Sequence, residues 1–130
     1  MTASAEAVAL ARTAALAASD KKAVDVLAVD VSEQLVITDV FLLCSAPNER
    51  QVLAIVDEIE DRARQKHQAK PLRREGAKEG RWVLLDFGDV VVHAMHEEDR
   101  GFYALERLWK DCPLVELPDL DGPGAAKAGA

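Results

Sequence analysis

The spacing of apolar and polar positions changes along this chain, and each change marks an element. Two apolar runs, Trp82–Leu85 and Val90–Met95, flank the tetrapeptide Asp86-Phe87-Gly88-Asp89. A short turn with one glycine between two strand-length runs predicts a hairpin. Glu97, Glu98 and Asp99 follow, acids of the kind that favour a helix N-terminus. Phe102, Leu105, Trp109 and Cys112 then recur at helical spacing until Pro113 closes the segment. Both tryptophans, the single tyrosine and two of the three phenylalanines lie in this stretch. Aromatic side chains gathered this way mark a packing centre or an interface.

Upstream, residues 4–18 are rich in alanine with no breaker, which predicts a helix with a shallow stripe at Val8, Ala11, Ala15 and Leu16. Residues 25–31 read as a strand from their β-branched positions. Residues 36–45 read as a stronger one, and the unbroken run Val40–Cys44 suits a central strand covered on both faces. Asn48 can cap the next helix, with Gln51 at the capping-box position three residues on. Val52, Ile55, Val56, Ile59 and Ala63 form its buried face, and its end is expected near Lys66. A short strand at 71–75 and a turn at 76–80 lead into the hairpin. One α/β domain follows, a mixed sheet packed with helices, over residues 1–118. Residues 119–130 hold Gly, Pro, Ala and charge with nothing to bury, and are expected to be disordered.

Composition narrows the class. No apolar run approaches the roughly 20 residues that cross a bilayer. The N-terminal stretch carries Glu6 and Arg12 and lacks the pattern of a signal peptide, so a cytoplasmic location is expected. Two cysteines, Cys44 and Cys112, read as reduced packing residues. The net charge is −7, which argues against a mainly nucleic-acid-binding surface. Residues 62–81 hold eight basic and two acidic side chains, +6 in all, which leaves −13 on the remainder. An acidic body suits a basic protein partner, although solubility alone also accounts for it.

Three motifs invite a catalytic reading. Asp86-Phe87-Gly88 matches the kinase magnesium triplet by letters, but the glycine-rich loop and catalytic lysine of a kinase are missing. His93 and His96 stand three apart on a strand and so face opposite ways, which does not converge on one metal ion. His93 reads instead as a residue hydrogen-bonded at the sheet surface or at an interface. Asp86 and Asp89 are separated by a turn, not by the two-residue strand spacing that aims both acids at Mg²⁺ in a nucleotidyltransferase. A nucleotidyltransferase-like enzyme and a different protein-binding module are the alternatives to the reading below.

The sequence W-V-L-L-D-F-G-D-V-V-V-H from Trp82, with R-x-F-Y-x-L-E-R-L-W from Arg100, resembles the ribosomal silencing factor (RsfS, Iojap-like) family. Asp39 with the apolar strand after it, Arg50-Gln51, and Glu75-Gly76 ahead of Trp82 add to the resemblance, which spans roughly Val24 to Cys112. Asn48 stands where the family commonly carries serine, an equivalent cap. The resemblance implies a nucleotidyltransferase-like scaffold without catalytic residues, cofactor or metal. It implies a translational repressor that binds the large ribosomal subunit through ribosomal protein uL-fourteen, blocks joining of the small subunit under nutrient limitation, and can form homodimers. The partner-binding residues expected on this basis are Trp82, Asp86, Asp89, His93, Met95, Arg100, Tyr103 and Glu106. A minor contact of the +6 segment with ribosomal RNA is also expected.

Overall fold

The computed structural model describes residues 3–103, 107 and 109–117. Helix α1 spans Ala5–Asp20, strands β1 and β2 span Val24–Asp30 and Val40–Ala46, and helix α2 spans Glu49–His67. Strands β3, β4 and β5 cover Arg73–Glu75, Trp82–Asp86 and Val90–His96, and helix α3 covers Glu97–Tyr103. The five strands form one mixed sheet in the order β1-β2-β5-β4-β3. Central strands β2 and β5 run parallel, in register from Val40↔Val90 to Ala46↔His96, while the other pairs are antiparallel. Their unbroken apolar sequences follow from this position, since a central strand is covered on both faces.

Helices α1 and α2 pack on one face. Val40, Leu42, Cys44, Val90, Val92, Ala94, Val83 and Leu85 point into that core and meet Val52, Ile55, Val56, Ile59 and Ala63 of α2. Alternation fixes this: odd and even positions of a strand face opposite sides. Helix α1 buries Ala7, Leu10, Ala11, Ala14, Ala15, Ala17 and Ala18. Of the expected stripe, Ala11 and Ala15 are buried, whereas Val8 and Leu16 are only half-buried.

The caps are chosen locally. The Ser4 hydroxyl accepts from the Ala7 amide at 3.1 Å and Asn48 Oδ1 accepts from the Gln51 amide at 2.9 Å. The Gln51 side chain does not close the capping box. It donates to the carbonyls of Lys21 and Lys22, both at 3.1 Å, and so ties the start of α2 to the α1–β1 turn.

Two boundaries differ from the sequence reading by more than two residues. The strand expected over 36–45 begins at Val40, and Val36 and Ile37 sit in a loop with fractional exposures of 102% and 82%. The loop is closed by the Val31 amide donating to the Asp39 carbonyl at 2.8 Å, so ladder pairing starts only at Asp30↔Val40. The helical spacing through Cys112 is not followed either, because Trp109 and Cys112 lie in turns. There the chain is drawn along β1 by hydrogen bonds from the Asp30 amide to the Pro113 carbonyl and from the Val115 amide to the Ala28 carbonyl. That segment covers one sheet edge. The other edge, β3, is exposed and charged, the usual protection against further strand pairing. The tail expected to be disordered lies outside the described residues.

Candidate functional site

The second face of the sheet is only partly covered. Alternation places Leu27 and Val29 of β1, Phe41, Leu43 and Ser45 of β2, Val91, His93 and Met95 of β5, and Trp82, Leu84 and Asp86 of β4 on it. Helix α3 covers the end near Met95 and Ser45. Its Arg100 is buried and donates to the Asp25 carbonyl and, at 3.5 Å, to the Ser45 hydroxyl. Asp25 has φ +52° beside a register shift in β1, which forms part of the setting in which its carbonyl receives the guanidinium. Trp109 lies edge-on against Phe41 with ring centroids 5.2 Å apart. What remains accessible is a strip on the β4 side, formed by half-buried Trp82, Leu84, Asp86 and Phe41 with Val91 between them.

His93 is the floor of that strip. It is 7% exposed, and its Nδ1 accepts from Trp82 Nε1 at 3.2 Å. Its ring meets Phe41 edge-on at 5.0 Å and Trp82 at a tilt at 6.1 Å. Burial pulls its pKa down from 6.5 to about 4, so the imidazole is neutral at pH 7. With Nδ1 accepting, the proton sits on Nε2, which is buried without a hydrogen-bond partner among the described residues.

The hairpin turn borders the strip with carboxylates. Asp86 Oδ1 accepts from the Gly88 amide at 2.7 Å, an Asx turn, and Asp86 Oδ2 pairs with Arg73 at 3.2 Å. Gly88 has φ +91°, which a side chain would resist. Asp89 is exposed, and its carbonyl receives the amides of Asp39 and Val40 at 2.9 and 3.0 Å. The turn is therefore held from both sides.

The structure thus brings Trp82, Asp86, His93 and Met95 to one face, with Asp89 at its end. Met95 is 0% exposed and shapes the face from beneath. Arg100 braces α3 on β1 and β2. The Tyr103 side chain and Glu106 lie outside the described residues. Phe41, Leu84 and Val91 escaped the sequence reading, although strand parity alone would have placed Leu84 with Trp82 and Val91 with His93.

At the corner where β2 enters α2, Arg81 joins Glu49 at 3.1 Å, Asp99 at 2.7 Å and Glu98 at 3.9 Å. The three carboxylates gather on a guanidinium, and no group of three or more His, Cys, Asp or Glu is arranged for a metal ion among the described residues. His96 faces the helix side of the sheet, away from His93, and its Nδ1 accepts from the Glu98 amide at 3.1 Å. The basic segment is largely neutralised as well. Arg62 pairs with Asp20 and Glu58, Arg64 with Asp61, Arg73 with Glu75 and Asp86, and Arg74 with Asp57 and Glu60. No helix among the described residues is long and apolar enough to cross a membrane.

A mixed sheet with α1 and α2 on one face, and α3 beside an aromatic strip on the other, defines an α/β domain. The model of the family described as "Ribosomal silencing factor during starvation" matches residues 4–130, well beyond the span of the sequence motifs. The ribosomal silencing factor RsfS of Bacillus subtilis is 44% identical over 106 residues, 82% of this chain and 89% of its own. The chloroplastic protein Iojap of Zea mays is 34% identical over 114 residues, 88% of this chain and 49% of its own. A crystal structure from Bacillus halodurans, 43% identical, superposes with a TM-score of 0.69 over 81% of this chain and 94% of that one. An X-ray structure of a Chromobacterium violaceum protein, 28% identical, gives 0.75 over 88% and 92%. The chain belongs to the ribosomal silencing factor family.

Proposed function

We propose that this protein is a non-enzymatic repressor that binds the large ribosomal subunit through the basic ribosomal protein uL-fourteen and thereby keeps the small subunit from joining. The observation that carries the reading is the strip of half-buried Phe41, Leu84 and Trp82 beside buried Val91 and over His93, bordered by Asp86 and Asp89. Aromatic and aliphatic groups on a rigid sheet supply affinity, while carboxylates at the rim set approach and orientation toward a basic partner. Tyr103 and Glu106, expected from the sequence as partner contacts, belong to the same proposal. Such a mechanism requires no nucleophile, metal or cofactor. It requires a body large enough to clash with the incoming subunit. Repression of this kind lowers protein synthesis when nutrients are short, in the cytoplasm where ribosomes assemble. Homodimers would withdraw this face if they used it. Lys66, Lys70 and Lys78 remain for a minor contact with ribosomal RNA.

The test is association of purified subunits followed by light scattering as Mg²⁺ is raised. Added protein should lower the signal in proportion to its occupancy of the large subunit, and co-sedimentation should place it on that subunit. Unchanged association, or binding to the small subunit alone, would reject the proposal.

A further inference from the structure

One polar atom beneath the strip finds no use within the fold. His93 stands in the middle of the second face, opposite Leu43 of β2 and Leu84 of β4. Indole Nε1 can only donate, so the 3.2 Å bond from Trp82 to Nδ1 fixes the tautomer and leaves the proton on Nε2. Among the described residues, Nε2 is the one buried side-chain nitrogen or oxygen without a hydrogen-bond partner. The other two imidazoles are engaged: His67 Nε2 lies 2.8 Å from the Thr13 hydroxyl, and His96 Nδ1 accepts from the Glu98 amide at 3.1 Å. A donor withdrawn from water and given no acceptor lowers the stability of the free protein, and such groups are rare in native folds.

The rings around His93 are also those that face outward. Trp82, from β4, takes the Nδ1 edge, and Phe41, from β2 on the opposite side, meets the imidazole edge-on at 5.0 Å. Both are half-buried, whereas His93 is 7% exposed. The surroundings also specify what the donor can take. The imidazole is neutral at pH 7, and Phe41, Leu43, Leu84 and Trp82 around it carry no charge. A carboxylate or phosphate oxygen would lose its hydration there with no cation to replace it, whereas an uncharged oxygen would lose much less. Asp86, the acid of the same face, is held at the rim by Arg73 and by the Gly88 amide.

We infer that His93 Nε2–H is the specificity-determining donor of the strip, and that on docking it takes an uncharged oxygen of the protein partner, a main-chain carbonyl or a side-chain amide. A change of rotamer at Phe41, an adjustment common at interfaces, opens the way to the ring while the sheet stays in place. A surface with no oxygen at that position leaves the donor unpaired and is rejected, which gives an otherwise apolar strip a means of discrimination. The inference rests on the ribosomal reading above and deepens it.

The experiment compares wild type with His93→Phe, which keeps an aromatic ring and removes the donor. Thermal unfolding of the variant at neutral pH should match or exceed wild type. Its affinity for purified large subunits should fall about tenfold or more, because the partner's oxygen is then buried without a donor. Both groups of the bond are uncharged, so the ratio of the two affinities should stay constant as salt is raised. In the free full chain, nuclear magnetic resonance of isotope-labelled histidine should show an Nε2–H signal without the downfield shift of a hydrogen bond. Equal affinities, a ratio that falls with salt, or a signal already shifted downfield in the free chain overturns the inference and leaves the ribosomal reading standing. A variant that loses stability and affinity together marks His93 as structural and overturns it too. If His93→Phe fails to fold, the wild-type signal decides: it should move downfield when isolated uL-fourteen is added, and an unmoved signal overturns the inference. Absence of wild-type binding to large subunits removes both readings.

Discussion

His93 shows how much one side chain can depend on its surroundings. Its neutral form is favoured because burial removes the hydration that an imidazolium needs, and because Trp82 donates to Nδ1. The folded-state pKa, about 4, lies below the ordinary value of 6.5. The unfolded chain therefore binds the extra proton first as pH falls. The contribution is fully present above pH 6.5 and is lost progressively down to about pH 4. The shift corresponds to at most about 3 kcal/mol. Urea unfolding at several pH values should show a steeper loss in wild type than in His93→Phe over that window. Parallel pH profiles would contradict this account. Gly76 is a second such residue. It has φ +80°, and an added Cβ would lie 2.1 Å from the Trp82 carbonyl oxygen. Gly76→Ala should lower unfolding free energy by about 2 kcal/mol or more, through left-handed strain together with a backbone clash. Denaturant melts would reveal it, and a change within about 0.5 kcal/mol would show that the 76–80 turn yields.

At the scale of elements, the caps and the covered edges decide where each segment stops. Asn48 gives α2 its start, and Gln68 closes it in a left-handed conformation with its amide on the Ala63 and Arg64 carbonyls. Replacing Asn48 by alanine should cost about 1 kcal/mol, measured by thermal or chemical unfolding. Asn48→Ser should cost almost nothing, since serine caps equally well. The helix, its cap and its buried face were legible because all three are written within a few neighbouring residues. Residues 36–37 show the opposite case. Their β-branched side chains have strand propensity, but hydrogen bonds to residues far along the chain hold them in a loop. Trp109 is similar, since its helical spacing is overridden by contact with Phe41 and by the pull of residues 113–115 toward β1.

For the whole molecule, the charge distribution matters more than its total. The five arginines of the basic segment are engaged in internal ion pairs, which leaves exposed Asp89 as an acidic group at the hairpin end of the sheet. Binding to large subunits should weaken as salt is raised, because exposed charges are screened over about 8 Å at physiological ionic strength. Asp89→Lys should lose about tenfold or more in affinity, mostly through slower association, as a repulsion replaces an attraction at a rim. Trp82→Ala should instead speed dissociation. Stopped-flow kinetics separates the two, and equal effects on both rates in both variants would argue against a rim-and-anchor division.

The sequence by itself determined α1, α2, the start of α3, the hairpin, the central strands and the family. Each depends on periodicity, capping or motif, which are properties of adjacent residues. Part of the candidate site was also readable, since parity along β4 and β5 already puts Trp82 with Asp86 and His93 with Met95. Only the tertiary structure decided which of these side chains are reachable. Met95 disappears beneath α3, Arg100 is spent on the Asp25 carbonyl, and Phe41 joins the strip from a strand 41 residues away from Trp82 in sequence. Exposure depends on what covers a face. Here that cover is supplied by α3 and residues 109–117, whose placement follows from long-range hydrogen bonds and aromatic contacts that no local pattern encodes.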